Sequence, residues 1–365
     1  SVPLAYPPLV YLLVRMLIVA RRRGADRPLQ RFHLLVPASW LLVGLIFLVG
    51  FRVALNVTNS NVIDVGYSGV IGADRLTHGN QLWGNFPHDN QHGDTYGPVN
   101  YYAYVPFEQA WPWSGRWDDL PAAHAAAVVF DLLTMLGLWL LGRRIRGPTM
   151  GVALAYAWAA YPFTLFVSNS NSNDSLVALL LVGALLLAAS APGRGALVAL
   201  AGLTKFAPLA LAPVFATHGT TGAPLRSRLR SIVFYGCAFA AAAALAMAPI
   251  LIGGDLRSFY DHTLRFQQDR GSPFSIWGLR SGLDWLQTVV QVGSVAFALV
   301  AAVLPRRRDV VGLAAIGAAV LIALQLGVTH WFYLYLVWFL PLVLVALFGR
   351  YGEPASSTLT RPAAA

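Results

Sequence analysis

Residues 195–217 read GALVALAGLTKFAPLALAPVFAT, and the fold turns on how this stretch meets a membrane. It is apolar and long enough for one crossing. Yet Arg194 precedes it, and Arg226, Arg228 and Arg230 follow it. Lys and Arg gather on the cytoplasmic side of membrane helices, so both ends of the stretch belong on one side. Pro208 and Pro213 interrupt any continuous helix, and Lys205 lies between the two halves. A single span would also put every later basic cluster on the wrong side. A broken hairpin of two short helices, with Lys205 near the turn, removes the conflict. Non-helical backbone is tolerated at membrane depth where it lines a protein cavity. An ionisable group there marks a functional site by default; the bland reading is a lysine snorkelling to the interface.

Working outward, the sequence predicts an all-α polytopic membrane protein with about ten membrane segments. They run over residues 4–20, 32–51, 122–141, 151–167, 175–191, the hairpin, 232–252, 282–304, 310–326 and 331–348. Basic clusters at Arg21 to Arg23, Arg143 to Arg146, Arg226 to Arg230 and Arg306 to Arg308 then share the cytoplasmic side. Two loops, 52–121 and 253–281, fall outside. Residues 1–350 form one transmembrane domain, and 351–365, rich in Ser, Thr, Pro and Ala, read as a disordered tail. The first segment lacks a preceding basic n-region and so reads as a membrane helix rather than a signal peptide. The chain starts at Ser1, and membrane helices are expected upstream of it.

Composition agrees. Of 365 residues, 57% are hydrophobic and only 12% charged, against about 25% charged in soluble domains. The net charge of +10 would suit nucleic acid, but its arginines sit in short runs beside apolar segments, which points to membrane topology instead. Lys205 is the one lysine. Enrichment in Ala, Arg and Gly points to a GC-rich, bacterial genome, and so to a multi-pass protein of the bacterial inner (plasma) membrane. The single cysteine, Cys237, cannot form an internal disulfide and reads as a buried structural thiol.

The long loop 52–121 carries the acids Asp64, Asp74, Asp89, Asp94, Glu108, Asp118 and Asp119 among many aromatics. A connection of that length is uncommon unless it has a function. Asp64 follows a membrane segment closely, so it sits at head-group level, where a carboxylate can take a proton from an acceptor hydroxyl. Around Asp94, Tyr96 and Asn100, aromatic faces alternate with polar groups, which suits a sugar ring. The alternative for these aromatics is an interfacial belt. The turn Asn169 to Asp174 offers Asn173 and Asp174 as substrate contacts, or simply as the cap of the next helix. Asp131 and Arg15 are charges within membrane segments, and a pairing between them is the bland reading of both. In the second loop His262, Arg265 and Arg270 can bind phosphate, arginine doing so bidentately, or can form salt bridges with Asp261 and Asp269. His330 opens the aromatic run to Pro341. No standard metal pattern is present: His78, His88 and His92 have no zinc spacing. No cofactor is expected, though a divalent cation is left open.

The order of these elements resembles GT-C glycosyltransferases, most closely glycosyltransferase family 87, over Asn56 to Phe348. Asp64, Tyr67, Gly79 and Tyr96-Gly97-Pro98 resemble that family's Asp, Tyr, Gly and Tyr-Pro-Pro elements, the last with Gly in place of the first Pro. Gly202-Leu-Thr-Lys205-Phe-Ala-Pro208 resembles its small-residue helix ending in Lys, and His330, Tyr333, Trp338 and Pro341 its late aromatic run. The second loop, Asp261 to Ser275, is similar to a related eukaryotic mannosyltransferase branch. The resemblance implies inverting transfer of a hexose such as mannose from a polyprenyl-phosphate donor to a glycolipid or glycan acceptor on the extracytoplasmic face. Asp64 would be the base, with Tyr67, Asp94, Tyr96, Asn100, Asn173 and Asp174 around the substrate. Lys205 with His330, Arg265 and His262 would hold the donor phosphate. The competing classes are a transporter or lipid flippase, which also uses broken helices and intramembrane charge, and a non-catalytic relative.

Overall fold

The computed structural model describes residues 2–21, 32, 34–220, 222–269, 271–272, 274–304, 307–330 and 333–351. Arg22, Arg23, Arg270, Arg306, Trp331 and the tail 352–365 lie outside the described residues. Among the described residues all regular structure is helical. The first half comprises α1 (Tyr6–Arg21), α2 (Ala38–Thr58), α3 (Asp64–Thr77), α4 (Pro98–Ala110), α5 (Pro121–Arg146), α6 (Pro148–Ala160), α7 (Pro162–Asn169) and α8 (Asp174–Leu186). The hairpin is α9 (Ala191–Gly202) and, after a 3-10 turn at Ala207–Leu211, α10 (Ala212–Ala216). Then come α11 (Leu225–Gly253), α12 (Leu256–Tyr260), α13 (Phe266–Asp269), α14 (Ile276–Leu279), α15 (Asp284–Ala301), α16 (Val310–Gly327) and α17 (Leu336–Phe348).

Five of these helices, α2, α5, α11, α15 and α16, are long and apolar enough to span a bilayer, and the bent pair α6–α7 makes a sixth. Six of the ten expected segments meet that length and hydropathy test among the described residues; the helices α1, α8 and α17 are shorter, and α9–α10 is the hairpin. Starts and stops follow local chemistry. Proline opens α4, α5, α6 and α7, where its missing N–H costs nothing. Asp309 caps α16 by accepting from the Gly312 N–H at 2.9 Å. The helix α16 is apolar all round and almost wholly buried, as a central helix should be. By contrast, α2 and α11 turn most of their apolar surface outward, the face that lipid would cover. Cys237 lies on that exposed face of α11, so it is not the buried thiol the sequence suggests: an apolar run alone does not tell core from lipid contact.

The hairpin forms as the charge argument requires. Arg194 Nε donates to the Phe215 carbonyl at 3.1 Å, so α9 and α10 leave from and return to the same end of the bundle. That end also gathers Arg143, Arg144 and Arg146 at the close of α5, Arg226, Arg228 and Arg230 at the start of α11, and Arg307 before α16. The other end carries α3, α4, α12, α13 and Lys205.

One charge moves inward. The sequence puts Arg52 in the external loop, but α2 runs on to Thr58 and buries it. Its guanidinium grips Asp131 with two bonds of 2.9 Å. It also donates to the Thr164 carbonyl at 2.8 Å and the Ala159 carbonyl at 3.2 Å. These carbonyls lie at the 61° bend between α6 and α7, where Pro162 removes a helical donor. Asp131 therefore pairs with Arg52 rather than Arg15, because Arg52 alone can also satisfy the carbonyls that the break exposes.

Candidate active site

The 52–121 connection is not an open loop. Its helices α3 and α4 pack together through the small face of α3. A Cβ on Gly69 would stand 2.6 Å from the Tyr104 ring, and one on Gly72 2.1 Å from the Tyr101 ring. Tyr101 and Tyr104 are fully buried, so their aromatic bulk replaces the missing side chains. Gly66 lies against the Asn171 carbonyl in the same way.

The turn before α8 fixes two acids at once. Asn171 adopts φ 52°, a conformation that asparagine tolerates better than most residues. Its side chain donates to the Asn61 carbonyl at 3.1 Å and to Ser60 Oγ at 3.0 Å, and accepts from Asn56 Nδ2 at 2.7 Å. The Ile63 N–H donates to the Ser170 carbonyl at 3.1 Å. This lacing anchors the first residue of α3, Asp64, whose side chain is exposed. Asn90 Nδ2 holds the Asp64 carbonyl from the loop side at 3.0 Å.

The same turn presents Asp174, which is fully buried. Its carboxylate does not cap α8. Asp174 Oδ1 accepts from Lys205 Nζ at 2.5 Å and from Trp338 Nε1 at 2.6 Å, and Ser172 Oγ donates to Oδ2. Lys205 Nζ also lies 5.3 Å from the Tyr96 ring centre, 5.3 Å from that of Trp338 and 5.6 Å from that of Tyr335. A desolvated ammonium facing an aromatic ring gains about 2 kcal/mol. Lys205 is thus a caged cation pointing into the protein, not a snorkelling one. Next to it Asn173 Nδ2 donates to Asn100 Oδ1 at 2.5 Å, joining α8 to α4.

The Tyr-Gly-Pro element has a local reason. The Gly97 N–H donates to the Thr204 carbonyl at 3.3 Å, and the Val99 N–H to the Leu203 carbonyl at 3.1 Å. A Cβ at Gly97 would stand 2.0 Å from the Leu203 oxygen. Proline at this position would lose the first bond and clash. The segment therefore docks on the backbone immediately before Lys205 and aims Tyr96 at the ammonium. Burial pushes the Tyr96 phenol well above its ordinary range, and the charges of Asp64 and Asp174 push it the same way.

Other expected site residues divide. His330 lies against Phe274 and Tyr335, with ring centres 6.1 and 6.3 Å away, and Tyr335 stacks on Trp338 at 4.4 Å. It therefore borders the cage. His262 Nδ1 pairs with Asp94 Oδ2 at 2.9 Å, an oxygen that also accepts from the Gly84 N–H at 2.6 Å. These two residues join the second loop to the first rather than reaching the Lys205 cage. Burial raises the Asp94 carboxyl above its ordinary range, while Gly84 and His262 pull against the shift. Arg265 is exposed and 3.5 Å from Asp261, the salt-bridge alternative. Tyr67 is buried against Trp113 and Trp117 and donates to Asp89 Oδ2 at 3.2 Å; burial and then Asp89 raise its phenol to about 12. It packs α3 instead of lining the cage. His78 pairs with Asp74 and His92 stacks on Phe266, so with His88 they do not converge. Among the described residues no group of three or more His, Cys, Asp or Glu forms a metal cluster. The residues missing from the sequence-based site are Tyr335, Trp338 and Ser172. Only the aromatic run after His330 signalled the first two.

The family model for glycosyltransferase family 87 matches residues 95–326, well over half of the chain. The chain belongs to glycosyltransferase family 87. The match takes in Tyr96, Asn100, Asp174 and Lys205, while Asp64, Tyr67 and His330 lie outside it. Among solved structures, the chain is similar to ArnT from Cupriavidus metallidurans bound to undecaprenyl phosphate. The TM-score is 0.57 at 15% identity, covering 86% of this chain and 60% of that one. This chain thus spans less than two thirds of the length of that protein. The likeness is one of fold: this family 87 member shares the membrane-helical architecture of that protein. No curated protein matches it.

Proposed function

We propose that this chain transfers a hexose, mannose being the first candidate, from a polyprenyl-phosphate donor to a glycolipid or glycan hydroxyl on the extracytoplasmic face. The observation that carries the reading is the caged Lys205 ammonium, within 2.5 Å of Asp174 and faced by the rings of Tyr96, Tyr335 and Trp338. Asp64 accepts the proton of the acceptor hydroxyl. The freed oxygen attacks the anomeric carbon as the carbon–oxygen bond to phosphate breaks, so the anomeric centre inverts. The electron pair leaves on the polyprenyl phosphate, whose growing negative charge Lys205 stabilises in a site shielded from water. Lys205 has three N–H donors, so it can keep Asp174 and still bind phosphate. His330, which borders the cage through Tyr335, is the second candidate for the phosphate, and Arg265, paired with Asp261, is the third.

Charge supports the sidedness: the end opposite the site carries the arginine clusters at the close of α5 and the start of α11, which favour the cytoplasm. The ArnT structure holds undecaprenyl phosphate, a carrier of the class proposed here. The test is transfer of labelled mannose from polyprenyl-phosphate mannose in membranes carrying the wild type or Asp64→Asn at equal level. Loss of a general base costs about 10²–10⁴-fold. Wild-type turnover by Asp64→Asn would remove Asp64 from the mechanism, and vectorial lipid movement with no sugar transfer by the wild type would favour a flippase.

A further inference from the structure

The arginine-rich end contains a second, separate feature. A cavity of about 230 Å³ opens there, with Arg194, His218, Thr220, Ser227 and Ser231 among its lining residues. Among the described residues no acidic side chain lines it. Arg194 is only 2% exposed, and its guanidinium donates to backbone carbonyls: Nε to Phe215 at 3.1 Å, Nη2 to His218 at 3.3 Å, and Nη1 to Ala188. Those bonds close the base of the hairpin and use three of the five N–H donors of a guanidinium. They bring no negative charge. Among the described residues no carboxylate pairs with Arg194, and a buried cation without a counter-ion is costly; the guanidinium forms part of the cavity wall, and these bonds leave two of its N–H donors unused.

The rest of the wall suits an anion. The hydroxyls of Ser227 and Ser231 supply neutral donors, while the Thr220 hydroxyl donates to the Thr217 carbonyl at 2.8 Å. Ser227 lies in the first turn of the long helix α11, where backbone N–H groups are unpaired and the dipole favours negative charge. Arg226, Arg228 and Arg230 stand exposed beside it, and the Arg308 guanidinium reaches Gly222. We infer that this cavity is an anion site for a phosphate group, either a phospholipid head group from the adjacent leaflet or free phosphate, and that the bound anion completes the base of the Lys205 hairpin from the opposite end.

The test uses the full chain. Its thermal unfolding midpoint is measured in neutral detergent with sodium phosphate against sodium chloride of equal ionic strength. It is measured again in phosphatidylcholine nanodiscs with and without phosphatidic acid. The wild type is expected to gain roughly 2–4 °C when the site is filled well above its dissociation constant. A gain with phosphate names the soluble anion, and a gain only with phosphatidic acid names the lipid. Ser227→Asp places a carboxylate in the cavity from an exposed helix position, leaves the carbonyl bonds of Arg194 intact, and should abolish the gain in either medium. Ser231→Asp serves the same purpose if the first variant folds poorly. No gain by the wild type in either medium, or an equal gain by the aspartate variant, overturns the site.

Discussion

Two buried ion pairs cross this bundle, and they are built differently. Arg52 grips Asp131 with two parallel bonds and spends further N–H groups on the carbonyls of Ala159 and Thr164. Trp158 Nε1 adds a bond to Asp131 at 2.8 Å. The planar fork of arginine suits such fixed geometry, and the pair closes a helix break with nothing left over. Lys205 makes one bond to Asp174, and its other neighbours are ring faces. A lysine point charge with spare donors can share itself with an incoming anion; a saturated guanidinium cannot. The first pair thus reads as architecture and the second as a poised site.

The sharpest way to break this contrast is charge removal in pairs. Lys205→Met should lower transfer by about 10²–10³-fold, the scale for losing one donor aimed at developing charge. It should also cost about 3–5 kcal/mol of stability, because Asp174 is left buried and unpaired. Adding Asp174→Asn should return most of the stability and none of the activity. For Arg52→Met the same stability loss of about 3–5 kcal/mol is expected, with near wild-type turnover per folded molecule, and Asp131→Asn should again offset the loss. Denaturation curves and transfer rates on the four proteins decide it. An active Lys205→Met/Asp174→Asn protein would reduce both pairs to architecture.

A smaller effect tests how the cage is aimed. Gly97→Ala forces a Cβ into the Leu203 carbonyl and should cost about 1–3 kcal/mol, as overpacking does. Because the displaced backbone carries Lys205, transfer should fall by about ten-fold or more, since displacements near 1 Å cost up to about 10²-fold. Unchanged kinetics with lowered stability would mean that the Tyr96 segment does not aim the lysine.

These contrasts explain what the sequence could reveal. Flanking arginines and internal prolines demanded the hairpin, because topology is encoded in charge that can be read along one dimension. Lys205 stood out for the same reason, as a charge in an apolar run. Its partner was harder to find: Asp174 sits in a turn whose Asn and Ser residues also make good helix caps, and only the fold shows its carboxylate turned inward. Arg52 read as external since it follows an apolar run closely, and nothing in the local pattern says that a helix continues past it. Asp94 and His262 were both legible as polar loop residues. That they spend themselves on each other depends on two loops 168 positions apart in sequence (262 minus 94) meeting in space.

That loop contact carries the smallest and most condition-dependent effect. Asp94 is buried, accepts from Gly84 and His262, and has Tyr101 and His92 as its other titratable neighbours. Burial holds its carboxyl above the unfolded value of about 3.9. A carboxyl raised in the folded state favours the folded form while protonated. Its contribution is therefore complete below about pH 3.9 and is lost as pH rises through the higher folded value. Between those two points the docking of the second loop on the first should loosen with rising pH. Limited proteolysis within 80–93 should then accelerate with rising pH in the wild type. In Asp94→Asn, which keeps an acceptor for Gly84 without the charge, that part of the pH dependence should flatten. Asp94 bonds to His262 and Gly84 while Lys205 bonds to Asp174, so the variant should keep most of its transfer activity. A loss as large as that of Lys205→Met would put Asp94 in the active site with the lysine, and the division between a poised site and its supporting contacts would have to be redrawn.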